Sequence, residues 1–199
     1  MSNFNSRKIA FYGVLSALMF VFLLIETYLF TAFFGNFTPA ILTLPFAVAL
    51  SLFKKSRGML VGGTIFGCCS FFLAICIANP IFLNPLVSIL PRIFIGVVAY
   101  AVFYFVSTIC KNSKSTFVSE KLPLSIAGAF GILTNTVCTI FMINLFNSEA
   151  LVSVFATILS INFLAEVIGA IILVPIYANV LKRIENKLWL FVLILVTLT

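Results

Sequence analysis

The hydrophobic positions of this chain run together in long blocks, without polar stripes and without strict polar/apolar alternation. Six blocks stand out: Ile9 to Phe30, Phe37 to Phe53, Gly58 to Ala78, Leu86 to Cys110, Leu122 to Phe146 and Leu151 to Leu181. A helix needs about 20 apolar residues to cross a bilayer, so each block predicts a transmembrane helix. The second is short, and the sixth is long enough to tilt or to emerge from the membrane. The missing alternation excludes the strands of a membrane β-barrel. The expected fold is all-α: a polytopic six-transmembrane-helix bundle forming a single domain over residues 1–187. The apolar tail, residues 188–199, is too short to span. It would lie at the interface with Trp189 near the headgroups, or begin a further helix.

Charge sets an orientation on this pattern. Arg7 and Lys8 precede the first block, and Lys54, Lys55 and Arg57 separate the second from the third. Lys111, Lys114 and Lys121 lie between the fourth and fifth, and Lys182, Arg183 and Lys187 follow the sixth. These are eleven of the twelve basic residues, and in a six-span layout all fall on one side. The opposite loops, around Phe33 to Thr38, Asn79 to Asn84 and Asn147 to Ala150, carry neither Lys nor Arg. The positive-inside rule therefore predicts cytoplasmic N- and C-termini. The first block is too long for the apolar region of a cleaved signal and has no evident cleavage site.

Composition agrees with this picture and narrows the function. With 63% hydrophobic and 9% charged residues, the chain has too little polar surface for a water-soluble domain. The net charge of +7 is broken into loop clusters rather than a continuous stripe, so no nucleic-acid partner is expected. No histidine is present, and Cys68, Cys69, Cys76, Cys110 and Cys138 show no CxxC spacing. They read as small packing residues, with no metal site and no cofactor.

Ionisable groups within a span cost about 2.5–3.5 kcal/mol on insertion scales, so each needs a reason. Glu26, Arg92 and Glu166 are the three. With Asn84, Asn135 and Asn162 they lie toward the external half of the predicted bundle. Asn162 and Glu166, four apart, share a helix face. Thr134, Asn135 and Thr136 interrupt an otherwise apolar helix. Together these residues are candidates for a pocket that opens outward and hydrogen-bonds a small polar molecule. The competing structural reading has Arg92 paired with Glu26 or Glu166 and the asparagines joining helices. Small-xxx-small pairs occur at Gly13/Ala17, Gly63/Gly67, Ala127/Gly131 and Ala165/Gly169, for which packing within the bundle is the default expectation. Pro85, Pro91 and Pro175 lie at or within spans, where proline bends a helix and frees a carbonyl.

The segment Asn84-Pro-Leu-Val-Ser-Ile-Leu-Pro-Arg-Ile-Phe-Ile-Gly-Val-Val-Ala-Tyr100 resembles the Pro-Arg-x-x-x-Gly stretch of S components, the substrate-binding membrane subunits of energy-coupling-factor (ECF) vitamin transporters. It is most similar to the pantothenate and hydroxymethylpyrimidine branch. Gly131-Ile-Leu-Thr-Asn-Thr-Val137 resembles that branch's fifth helix, and Asn162-x-x-x-Glu166 followed by Pro175 its sixth. The resemblance spans about residues 8 to 185. It implies a bacterial cell-membrane subunit that binds a vitamin or precursor, pantothenate first, from outside. It implies as partners a transmembrane scaffold subunit and two cytoplasmic ATPases. In that family small residues on the first helix meet the scaffold, and Gly13 and Ala17 occupy the matching places. The first external loop, here Thr31 to Thr38, would act as a lid. The apolar tail departs from the family's usual ending.

Other functions compete. An autonomous secondary transporter or channel would use Glu26 or Glu166 as a proton relay, although no inverted repeat of spans is evident. An enzyme is not expected, since His-dependent chemistry is excluded and two acids have no recognisable catalytic setting. A purely structural assembly protein would have little use for six polar residues at matched depth.

Overall fold

The computed structural model of the chain describes residues 6–34, 39–53, 58–146 and 162–184. The described residues hold helices and turns, with no strand. In chain order the helices are α1 (Ser6–Ile25), α2 (Thr31–Phe34), α3 (Thr43–Phe53), α4 (Met59–Cys76), α5 (Pro85–Ser88), α6 (Leu90–Cys110), α7 (Leu122–Phe146) and α8 (Asn162–Ile184). Wider π-helical turns at Glu26–Phe30 and Phe117–Lys121 join α1 to α2 and lead into α7.

Five stretches are long and apolar enough to cross a bilayer: Ile9–Leu29, Met59–Cys76, Pro85–Cys110, Phe117–Phe146 and Asn162–Ile184. Their outward faces are lined with large apolar and aromatic side chains, including Val14, Tyr104, Phe105, Leu164 and Ile168. Water would not tolerate that surface, whereas lipid solvates it. The protein is thus a membrane-embedded helical bundle.

The second predicted span, expected to be short, holds a helix shorter than its apolar block. The block Phe37 to Phe53 contains a helix of only 11 residues, α3, preceded by a turn at 39–42. At 1.5 Å per residue α3 is about 16 Å long, half of a bilayer core. All its residues but Phe53 are buried, so α3 is a central peg rather than a lipid-facing span. Non-helical backbone is tolerated at such depth when protein covers it. Pro45 sits in the first turn of α3, where its missing N–H removes no helix bond.

Glycine lets the neighbours close on this peg. A Cβ on Gly62 would lie 2.2 Å from the Ala47 carbonyl oxygen of α3, and one on Gly96 would lie 1.8 Å from that of Met59. Neither could be accommodated, so α3, α4 and α6 meet backbone to backbone. Three of the four small-residue pairs pack inside the bundle, as expected: Gly63 against Arg92, Gly131 against Val48, Ile95 and Ala99, and Gly169 against Ile41. Gly13 differs, with nothing within 4 Å of its added Cβ. It and Ala17 face outward on α1, opposite the buried stripe Leu15, Met19 and Leu23.

Several expectations fall outside the described residues: the loop bases Lys54, Lys55 and Arg57, Lys187, the external loop 147–150, the beginning of the sixth block at 151–161, residues 35–38 of the first external loop, and the tail 188–199 with Trp189.

Candidate functional site

The start of α3 gathers both buried carboxylates. Glu26, on the last turn of the first long helix and 2% exposed, accepts hydrogen bonds from the backbone N–H of Leu42 and of Thr43 (3.1 Å) and from the Thr43 hydroxyl. Glu166, on α8, accepts from the Ala40 N–H at 3.0 Å. Two further donors at this end are partnered internally, Leu44 N–H to the Ala40 carbonyl and Phe46 N–H to the Leu42 carbonyl, both at 3.2 Å. A helix N-terminus presents unpaired N–H groups and the positive end of the helix dipole. In an apolar interior each such donor would be costly. Two acids from separate helices meet that need.

Arg92 occupies the second polar region, near the start of α6. Here the proline pattern explains the geometry. The backbone N–H of residue 91 would ordinarily bond the carbonyl of Val87, four residues earlier; Pro91 has no N–H. The Arg92 guanidinium takes that carbonyl instead, with Nη1 donating to Val87 O at 2.9 Å and to the Thr139 hydroxyl at 3.4 Å. The rings of Phe66 and Phe82 lie 5.7 and 5.3 Å from its central carbon, close enough for cation–π attraction. Its Nε finds no hydrogen-bond partner. The helix-staple geometry is therefore not made: among the described residues Arg92 hydrogen-bonds no carboxylate, although Glu166 is within electrostatic reach.

Further polar groups on α7 and α8 are left unpaired within the bundle. Asn135 and Thr136 stand one turn before Thr139 on the buried face of α7. Asn162 stands one turn before Glu166 on α8 and is also buried. Asn135 Oδ1, Thr136 Oγ1 and Asn162 Oδ1 have no hydrogen-bond partner. Thr134, the other member of the polar interruption, simply bonds back to the Phe130 carbonyl at 2.8 Å.

Five of the six expected site residues are thus buried inside the bundle: Glu26, Arg92, Asn135, Asn162 and Glu166. Asn84 is apart from them. It is half-buried, and its side chain caps α5 by accepting from the Leu86 N–H at 3.0 Å. Sequence reasoning missed Thr43 and Thr139, both fully buried and bonded to Glu26 and Arg92. It also missed Ser88, whose hydroxyl bonds the Phe82 carbonyl and holds the turn beneath Arg92. Among the described residues no group of three or more His, Cys, Asp or Glu could hold a metal ion.

Fold and site together define an α-helical integral membrane protein with a polar interior. Compared with family models, curated proteins and solved structures, the chain matches none.

Proposed function

We propose that this protein is a solute-binding membrane subunit of the ECF S-component type, which captures a vitamin-sized molecule from outside the cell and delivers it with a scaffold subunit and two ATPases. In this reading the bundle counts six membrane-inserted segments, the peg α3 among them, and both termini lie in the cytoplasm, as the basic loops favour. The observation that carries it is four of the five buried, unpartnered polar side-chain atoms of the described residues, Arg92 Nε, Asn135 Oδ1, Thr136 Oγ1 and Asn162 Oδ1; the fifth, Ser107 Oγ, lies near the other end of α6. Buried polar groups are ordinarily satisfied, and an apolar membrane interior raises the cost of leaving them bare. A ligand that spans them repairs the deficit.

The geometry favours this over a proton relay. A relay needs carboxylates that exchange protons with water, whereas Glu26 and Glu166 hold the main chain of residues 40–43. They shape the wall of the site while Arg92, Asn135, Thr136 and Asn162 face the solute. Outside the bundle, Gly13 and Ala17 form a flat strip on α1 with Ala10 beside them, free for a partner helix. Purified protein is expected to release a small molecule identifiable by mass spectrometry, and to copurify with the scaffold and ATPases when coexpressed. Gly13→Leu is expected to spare that ligand and abolish uptake. Absence of both ligand and partners would overturn the reading.

A further inference from the structure

We propose that the solute is an anion, and that its carboxylate or phosphate is received by Arg92. This rests on the binding reading above and adds the sign of the ligand's charge.

Arg92 is 7% exposed, so a full positive charge sits inside an apolar bundle. A buried charge is sustained by a counter-charge with good hydrogen-bond geometry. Its partners here are neutral: a carbonyl, a hydroxyl and two phenyl rings. Of the two acids that could neutralise it, Glu26 is committed elsewhere, and Glu166 acts on it only through space, without a hydrogen bond. Glu26 receives three donors from Leu42 and Thr43, and Glu166 receives the Ala40 N–H. Their negative charge faces the positive end of α3, which leaves Arg92 as the cation without a hydrogen-bonded anion. Pro91 contributes directly: by freeing the Val87 carbonyl it anchors one end of the guanidinium, and the opposite Nε–H edge stays unpaired. A guanidinium edge matches two oxygens of a carboxylate or phosphate. Asn135 and Thr136, one turn along α7, and Asn162 on α8 are then placed for the rest of the molecule, and amides offer both donors and acceptors.

The test uses wild-type protein in detergent. A bacterial small-molecule extract is separated by ion exchange into anionic, neutral and cationic fractions, and each is added while the melting temperature is followed. Material released from the protein by heat is sorted on the same exchanger. The expected result is a rise of several degrees with the anionic fraction alone, and released ligand in that fraction. Phosphatase treatment that removes the effect identifies a phosphate monoester; a resistant ligand whose effect is lost on methyl esterification is a carboxylate. Arg92→Lys is expected to bind about tenfold more weakly, because an ammonium loses the two-point match. Ligand found only in the neutral or cationic fraction overturns the anion while leaving the binding reading intact. No ligand by either route overturns both.

Discussion

Two polar regions lie within one apolar bundle, and they differ in whether their hydrogen bonds are closed. At the start of α3, Glu26 and Glu166 meet main-chain donors and the Thr43 hydroxyl. At the start of α6, Arg92 has one edge anchored and one edge bare, and Asn135 and Thr136 on α7 and Asn162 on α8 also carry unpaired atoms. Both regions contain charge, and both are buried. Charge and burial therefore do not separate a structural cluster from a binding site; satisfaction does. A closed network holds the fold, while an open one awaits a partner.

The largest effect should come from breaking the closed region. Glu26→Ala strands the N–H groups of Leu42 and Thr43 and the Thr43 hydroxyl in the bundle interior. The expected loss is on the order of 3–5 kcal/mol, as for a buried network that loses one partner. Monodisperse protein on size exclusion should nearly vanish, and ligand binding should fall with it. Glu26→Gln keeps an acceptor oxygen and should recover part of the yield. A well-folded Glu26→Ala protein that fails only in binding would place Glu26 on the ligand and erase the contrast.

Gly63→Ala couples the two regions. Its new methyl would lie 2.0 Å from the carbonyl oxygen of Arg92, so α4 and α6 must separate. Overpacking of this kind costs about 1–3 kcal/mol. Because the displaced backbone carries Arg92, affinity should drop along with melting temperature. Gly13→Ala, built into open space on α1, should alter neither.

Arg92→Met probes the open region and should behave oppositely to Glu26→Ala. Replacing an ill-paired buried charge by an apolar chain of similar length is commonly neutral or stabilising, so the ligand-free protein should stay within about 1 kcal/mol of wild type. Binding should fall about 100-fold or more, the worth of a charge-assisted pair. Collapse of the ligand-free protein would instead show that Arg92 holds the helices together.

Much of this arrangement is legible in the chain itself, for definite reasons. Glu26, Arg92 and Glu166 announce themselves because lipid makes isolated charges expensive. The match of Leu122–Phe146 with α7 follows from a long, mostly apolar run that begins after Lys121 and ends before the polar Asn147-Ser148-Glu149. That the second block is short is legible, but the burial of α3 on all sides is not, since hydrophobicity does not distinguish a peg from a span. The task of the acids is equally hidden: their partners are backbone N–H groups, exposed only because residues 39–42 turn. Buried threonines are hidden too. Thr64, Thr108 and Thr134 all bond back to their own helix, so nothing in sequence marks Thr139 as different. The i−4 rule at Pro91 was the available clue, because it leaves Val87 O to whichever donor lies nearest.

The smallest and sharpest probe is Thr139→Val. Its hydroxyl is a long 3.4 Å contact to Arg92 Nη1, a neutral acceptor sharing a donor that Val87 already holds at 2.9 Å. Loss of one such bond amounts to about 0.5–1.5 kcal/mol, and the valine methyl fills the same volume, so melting temperature should barely change. Affinity should fall only about threefold if the hydroxyl steadies the guanidinium rather than touching ligand, and that effect should disappear when Arg92 is already methionine. Measured as a double-mutant cycle, the two changes should be strongly non-additive in binding and non-additive in stability by no more than the worth of their one hydrogen bond. Additivity in binding would mean that Thr139 contacts the solute independently, and the open region would then extend further down α7 than Asn135 and Thr136.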